Sequence, residues 1–173
     1  MRSERLRFEP LAVEHAEALV AALDDARVGR FIGGPDVTSV EATRTRIERV
    51  NEGPPDRPTE RWINFAVVLE VDREQPIVIG RIEATTYDGE WAEIAYLLGP
   101  RWWGHGYATE ATSWLADHLR EARGIGELWA AIHPDNAASI HLVERLGFIR
   151  TDVPTRELGS FDHGDLVYVR ARA

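Results

Sequence analysis

The order of apolar and polar positions divides the chain into elements before any chemistry is considered. Segment Leu6–Leu11 (LRFEPL) alternates the two and predicts a short strand ending at Pro10. From Val13 to Leu23, apolar or small residues at 13, 16, 19, 20 and 23 mark one face of a helix. Residues Thr38 to Val50 predict a second helix, with Thr38 as its cap and Glu41 returning the bond. GPPDRP, residues 53–58, breaks the pattern as a loop. Three strands of a meander follow. Trp62–Val71 and Pro76–Tyr87 are joined by the polar DREQ, and Asp88-Gly89 turns the chain into Glu90–Leu98.

Gly99-Pro100 closes the third of these strands. The stretch RWWGHGYATEA, Arg101 to Ala111, then opens a helix whose inner face carries Tyr107, Ala108, Ala111, Trp114, Leu115, His118 and Leu119. Gly124 and Gly126 stop it, and Glu127–Ile132 is another strand. Turn, helix and strand in that order make half of a parallel crossover unit. After the turn HPDN come a short helix, Ala137–Leu146, its C-cap Gly147, and two final strands, Phe148–Thr151 and Asp165–Arg170. Neither side of the 53–58 loop is long enough to stand alone, so residues 1–173 are expected to fold as one domain. Its class is mixed α/β, a central sheet with helices on its faces.

Composition narrows the function classes. The 173 residues are 44% hydrophobic and 28% charged, as in a globular protein. With 29 acidic against 20 basic residues the net charge is −9, which argues against nucleic acid as the main partner. No apolar run approaches the ~20 residues of a membrane span, and the N-terminus MRSERLRFEP lacks the apolar core of a signal peptide. The absence of cysteine removes disulfides, thiolate metal sites and thiol nucleophiles, so a cytoplasmic protein is expected. The histidines show no helical ligand spacing, and no metal is expected. The sequence leaves homodimer formation open.

The chemistry concentrates where the strand ending at Leu98 turns into a helix. Such a junction offers uncapped N–H groups and the helix dipole to an anion. Glycines at 104 and 106 allow close approach and a positive φ. No G-x-x-x-x-G-K-[ST] string exists, and a dinucleotide fingerprint fails because Thr109 stands at its third glycine. A third pattern, [Q/R]-x-x-G-x-[G/A] after a strand, is matched by Arg101-Trp102-Trp103-Gly104-His105-Gly106.

With that match the chain resembles the GNAT superfamily of acyl-CoA-dependent N-acyltransferases, and within it the RimJ/RimL-type branch. The resemblance rests on ERLRFEPL, EIAYLLGPRWWGHGYATEA and HPDNAASIHLVERLGF, in that order along nearly the whole chain. It implies a sheet of about seven strands with helices on both sides, and a bulge that splays the strand before the glycine turn from the next parallel strand. It implies that Arg101 through Gly106 cradle the pyrophosphate of acetyl-CoA, with Trp102 and Trp103 beside the adenine or, for Trp103, in the core. Leu97 and Leu98 would offer main-chain groups to pantetheine and the thioester oxygen. Asn136 would contact the pantetheine arm, or else only shape the P-D-N turn.

Transfer to an amine needs loss of the ammonium proton, a donor for the oxyanion and a proton for the departing thiolate. Many family members place a tyrosine seven residues after the asparagine, and here that position is Val143. Ser139, three residues after Asn136, matches the RimL-like alternative, against a reading as an ordinary first-turn residue. Glu93, in EIAY, and Glu157, after the last helix, are the candidate bases, against readings as solvated carboxylates. Tyr96 is read as wall, Trp91 as core or acceptor-pocket wall, and His105 as solvent-facing. The acceptor is a primary amine, either a protein N-terminus or a small molecule. Segments 31–35, 53–58 and 155–164 are expected to shape its pocket. A non-catalytic acyl-CoA sensor that keeps only the cradle is the alternative.

Overall fold

The computed structural model describes residues 1–70 and 76–171. The expected DREQ connection, residues 72–75, therefore lies outside the described residues. Seven strands form one sheet in the order β1-β2-β3-β4-β5-β7-β6. They are β1 (Leu6–Pro10), β2 (Glu60–Leu69), β3 (Ile77–Tyr87), β4 (Trp91–Leu98), β5 (Glu127–Ile132), β6 (Ile149–Thr151) and β7 (Leu166–Arg170). The helices are α1 (Ala16–Leu23), α2 (Ala26–Gly29), α3 (Val40–Glu52), α4 (Tyr107–Arg123) and α5 (Ala137–Arg145). Fold class, strand count and the parallel β4–α4–β5 crossover agree with the sequence reading.

Alternation along the strands sorts most apolar residues into two large cores, with a third, smaller one around Trp91 and Trp129. Leu6, Phe8, Phe65, Ile82, Ile94 and Leu98 meet Ala111, Leu115 and Leu119 of α4 and Leu142 and Val143 of α5 on one face. Trp114 extends this contact by stacking on Phe8 at 3.7 Å. On the other face, Ala66 and the half-buried Leu97 meet Leu19 and Leu23 of α1 and Ile47 of α3. Val143 is completely buried, so the position where other members carry a tyrosine is filled here by core.

Local signals were displaced in two places. Ser39, not Thr38, caps α3, because its side chain accepts from the Ala42 N–H at 3.1 Å. The four-residue α2 was not expected; Asp25 caps it by accepting from the Arg27 N–H at 2.9 Å. The Asp88-Gly89 turn has positive φ at both residues, 53° and 72°, as the twist of a tight hairpin demands.

The feature that positions the site is the pairing of β4. Against β3 it is continuous from Gly80–Leu98 to Tyr87–Trp91. Against β5 it spans only Trp91–Glu127, Ala92–Leu128 and Glu93–Trp129, after which the strands part. The expected bulge in β4 is absent, since its register with β3 never shifts; the β2–β3 pair instead shifts between Val67 and Val68. Because β3 holds β4 straight while β7 holds β5 along Leu128–Ile132, the two strands diverge without one.

Gly80 lets β3 follow β4 to its end. A Cβ there would stand 2.8 Å from the Leu98 Cα, against rigid backbone. Replacement of Gly80 by alanine is expected to destabilise the protein by about 1–3 kcal/mol, the range of overpacked cores, read as a lower midpoint in urea unfolding.

Candidate functional site

Past Glu93, β4 has a free edge. Main-chain groups in an antiparallel pair alternate between facing the partner and facing away. The Gly99 N–H donates to Ile79 O at 2.9 Å, so residues 95, 97 and 99 face β3, and Tyr96 and Leu98 turn theirs into the opening beside β5. This corrects one expectation: Leu97 directs its carbonyl at Gly80, and only Leu98 of the pair faces the gap. The Leu98 carbonyl accepts from Trp103 Nε1 at 2.6 Å, which leaves its N–H toward the opening.

The 101–106 turn follows at the C-terminal end of β4. A short 3-10 turn over Pro100–Trp102 brings Trp102 down onto Gly99, where a Cβ would touch its ring at 2.6 Å. Trp103, in extended conformation, then points outward and is 46% exposed. The packing tryptophan is therefore Trp102, contrary to the expectation for Trp103. Gly104 and Gly106 both adopt left-handed φ, 79° and 80°, and a Cβ on Gly104 would enter open space. Gly106 caps α4 without a side-chain bond, so the first N–H groups of a 17-residue helix are open to an anion. Arg101 and His105 are exposed beside them.

Two side-chain groups meet at the opening on the α4–α5 face. The Tyr96 hydroxyl is buried and has no hydrogen-bond partner among the described residues. Burial pushes its phenol up to about 12, with the Ser139 hydroxyl pulling the other way. Ser139 sits in the first turn of α5, its N–H bonded by Asn136 Oδ1 at 3.2 Å. Asn136 thus serves as the N-cap of α5. An orphaned phenol is a functional signal that the wall reading of Tyr96 missed. The sequence offered one clue, a hydroxyl on the inner face of a strand otherwise lined by Ala92, Ile94 and Leu98.

The opposite face holds a cavity of about 480 Å³. Pro54, Trp62, Thr85, Tyr87, Glu93 and Ser160 are among its walls, so segments 53–58 and 155–164 do shape it. Segment 31–35 lines no part of it; Phe31 instead packs 5.4 Å from the His133 ring, beyond the end of β5. Trp91 is core, stacked 4.0 Å from Tyr87 and clustered with Trp129, and Trp62 is the tryptophan at the cavity.

Three carboxylates line this cavity, with different partners. Glu60 pairs with Arg57 at 2.8 Å. Glu83 binds Arg81 at 2.7 Å and Arg46 at 3.0 Å. Burial raises its pKa, yet the two guanidiniums outweigh this and hold it below the usual range. Arg81, itself buried, forks onto Asp36 at 2.5 and 2.7 Å and so ties the loop after α2 to the sheet. Nothing in the spacing of positions 36, 46, 81 and 83 announces this network. Glu93 is 6% exposed and accepts only from neutral donors: Gly159 N–H at 2.8 Å, Ser160 N–H at 3.1 Å, the Ser160 hydroxyl, and Tyr87 Oη at 3.3 Å. Its charge has no cationic partner among the described residues. Glu157 is exposed, does not line the cavity, and lies within electrostatic reach of Arg57. The structure thus sets Ser139 beside Tyr96 on one face of the β4–β5 opening and Glu93 on the other, with the glycine turn beyond Leu98, and leaves Glu157 outside the cavity.

The Tyr96 phenol has a consequence for stability. A folded pKa raised from 10.0 to about 12 favours the folded state below pH 10, and that contribution is lost as pH rises toward about 12. Alkaline titration of the wild-type protein is expected to show this loss, and the Tyr96→Phe variant a shallower one, by circular dichroism.

A family model described as "Acetyltransferase (GNAT) domain" matches residues 5–149. The chain is 29% identical over 148 residues to the "Uncharacterized N-acetyltransferase p20" of Bacillus licheniformis, covering 84% of this chain and 80% of that one. It is 25% identical over 153 residues to the "Uncharacterized N-acetyltransferase YoaA" of Bacillus subtilis (strain 168), covering 88% and 84%. Among solved structures, a GNAT-family acetyltransferase from Bacillus anthracis superposes with a TM-score of 0.73 at 22% identity, over 98% of this chain and 95% of that one. The ribosomal alpha-N-protein acetyltransferase RimL, solved in complex with coenzyme A, gives 0.78 at 19% identity over 98% and 96%, a likeness of fold. With five-sixths of its length inside the family model and this strand opening at its centre, the chain belongs to the GNAT acetyltransferase family and is an acyl-transferring enzyme.

Proposed function

We propose that this chain, acting as a single-domain cytoplasmic enzyme of the RimJ/RimL-like branch, transfers an acetyl group from acetyl-CoA directly to a primary amine. The observation that carries the reading is the pair of faces at the β4–β5 opening. On one side lies a cavity with an uncompensated carboxylate, and on the other an orphaned phenol beside a serine. The residues present fit the cofactor. Gly104 leaves open the space that a Cβ would fill, α4 begins uncapped, and the main chain of Tyr96 and the N–H of Leu98 face the gap.

When bound, acetyl-CoA supplies a thioester whose carbonyl carbon takes the amine and whose sulfur leaves. Arg101, Gly104 and Gly106 hold its phosphates, and exposed Trp103 offers its ring to the adenine. Asn136 orients the first turn of α5 toward the pantetheine arm. The Leu98 N–H donates to the oxygen on which negative charge develops. Ser139 donates toward the sulfur, and the Tyr96 phenol beside it, which burial pushes up to about 12, keeps its proton as a second donor in the opening.

Glu93 draws the ammonium into the cavity, since its charge is balanced by no cation among the described residues. Its four lone-pair positions are filled by four protein donors. It takes the released proton, directly or through water, only as the Ser160 hydroxyl rotates away. Glu157, exposed at the rim, is left the lesser part of a charge that attracts amines.

Thiol release from acetyl-CoA in the presence of a panel of amines tests the reading. Turnover above hydrolysis is expected with at least one primary amine, falling about 100-fold or more in the Ser139→Ala and Glu93→Gln variants. Coenzyme A binding without turnover on any amine would favour the non-catalytic sensor.

A further inference from the structure

Arg5 precedes β1, yet its side chain is built into the turn that begins a hundred residues later. Its Nε donates to Glu110 Oε2 at 2.7 Å and its Nη1 to the main-chain oxygen of His105 at 3.0 Å. The guanidinium carbon lies 4.6 Å from the centre of the Tyr107 ring. Nη2 is 3.5 Å from the place a Cβ on Gly106 would take. The other Glu110 oxygen accepts from the Arg5 N–H and the Ser3 hydroxyl, both at 2.7 Å.

Two consequences follow for an anion at the turn. The peptide between His105 and Gly106 is trans, so its C=O and N–H point in opposite directions. Holding the carbonyl on the Arg5 side therefore aims the Gly106 N–H at the other side of the loop, away from Arg5. This matters because glycine at 106, which carries one of the two dihedrals a flip changes, leaves that peptide free to flip. The second consequence concerns charge. Glu110 stands in the first turn of α4, where it competes with any other anion for the helix N-terminus. Burial pushes its carboxyl up, but Ser3 and Arg5 hold it below the usual range, so it is ionised and needs a counter-charge. Arg5 supplies one by direct contact.

We infer that Arg5 is a positioning residue for the pyrophosphate of acetyl-CoA, fixing the His105–Gly106 peptide and neutralising Glu110 from behind the loop. This rests on the acetyl-CoA reading above. Because Arg5 acts through the turn, it affects only ligands that carry phosphate.

Calorimetric titration of the full chain with coenzyme A, and separately with pantetheine, which has no phosphate, tests it. Arg5→Met is expected to raise the Kd for coenzyme A about tenfold and to leave that for pantetheine unchanged. Adding Glu110→Gln to Arg5→Met is expected to recover part of the loss, because the unmasked charge is gone. If Arg5→Met does not fold, Arg5→Lys, which keeps the charge but not the paired contacts, carries the same comparison with a smaller loss. Unchanged affinity for coenzyme A, or equal weakening of both ligands, overturns the inference. If the wild-type protein binds no coenzyme A, the cofactor reading itself falls and takes the inference with it. Wild-type binding with an unaffected variant refutes the role of Arg5 alone.

Discussion

Everything functional in this molecule depends on one interrupted interaction, the parallel pairing of β4 with β5. It lasts three residue pairs and ends at Glu93–Trp129. A sheet interior rarely leaves peptide groups without partners, since each carries a desolvation cost when buried unpaired. Here the interruption is enforced from outside: β3 holds β4 over its whole length, and β7 holds β5. The protein closes part of the gap itself, through Trp103 Nε1 on the Leu98 carbonyl. The rest is an edge onto which an extended chain can add as a strand would.

Around that opening, charges are treated in two ways. Asp36, Arg81, Glu83 and Arg46 form a chain in which each carboxylate meets an arginine. Such a chain fixes geometry, holding the loop after α2 and helix α3 to the strands that floor the cavity. Glu93 is satisfied by hydrogen bonds but, among the described residues, not by charge. A carboxylate in that condition keeps its field, and the field reaches into the cavity. The same distinction holds at the glycine turn, where Arg5 cancels Glu110 and leaves the helix N-terminus and the exposed Arg101 as sources of positive potential.

The fold was legible because its signals are local and periodic. The alternation of β1, the helical face of α4 and the Gly124 stop all survive within a residue or two in the structure. The glycine turn was legible for the same reason: two glycines and an arginine at fixed spacing lie in one continuous stretch. What escaped were contacts between distant segments. No local pattern joins Asp36 to Arg81, Arg5 to His105, or Tyr96 to Ser139. The exchange of roles between Trp102 and Trp103 escaped because it hinges on one 3-10 turn that rotates the first ring inward and leaves the second outside. The bulge anticipated from family resemblance proved unnecessary because the flanking strands already impose the divergence.

The free edge of β4 is expected to receive the extended arm of the cofactor. Amide NMR of the wild-type protein titrated with coenzyme A examines that edge directly. Large shifts are expected at the Leu98 and Tyr96 amides, which face the gap, together with Gly104 and Gly106, and little change at Leu97, whose groups stay on β3. Saturation that moved the glycine amides but left Leu98 and Tyr96 where they were would contradict it.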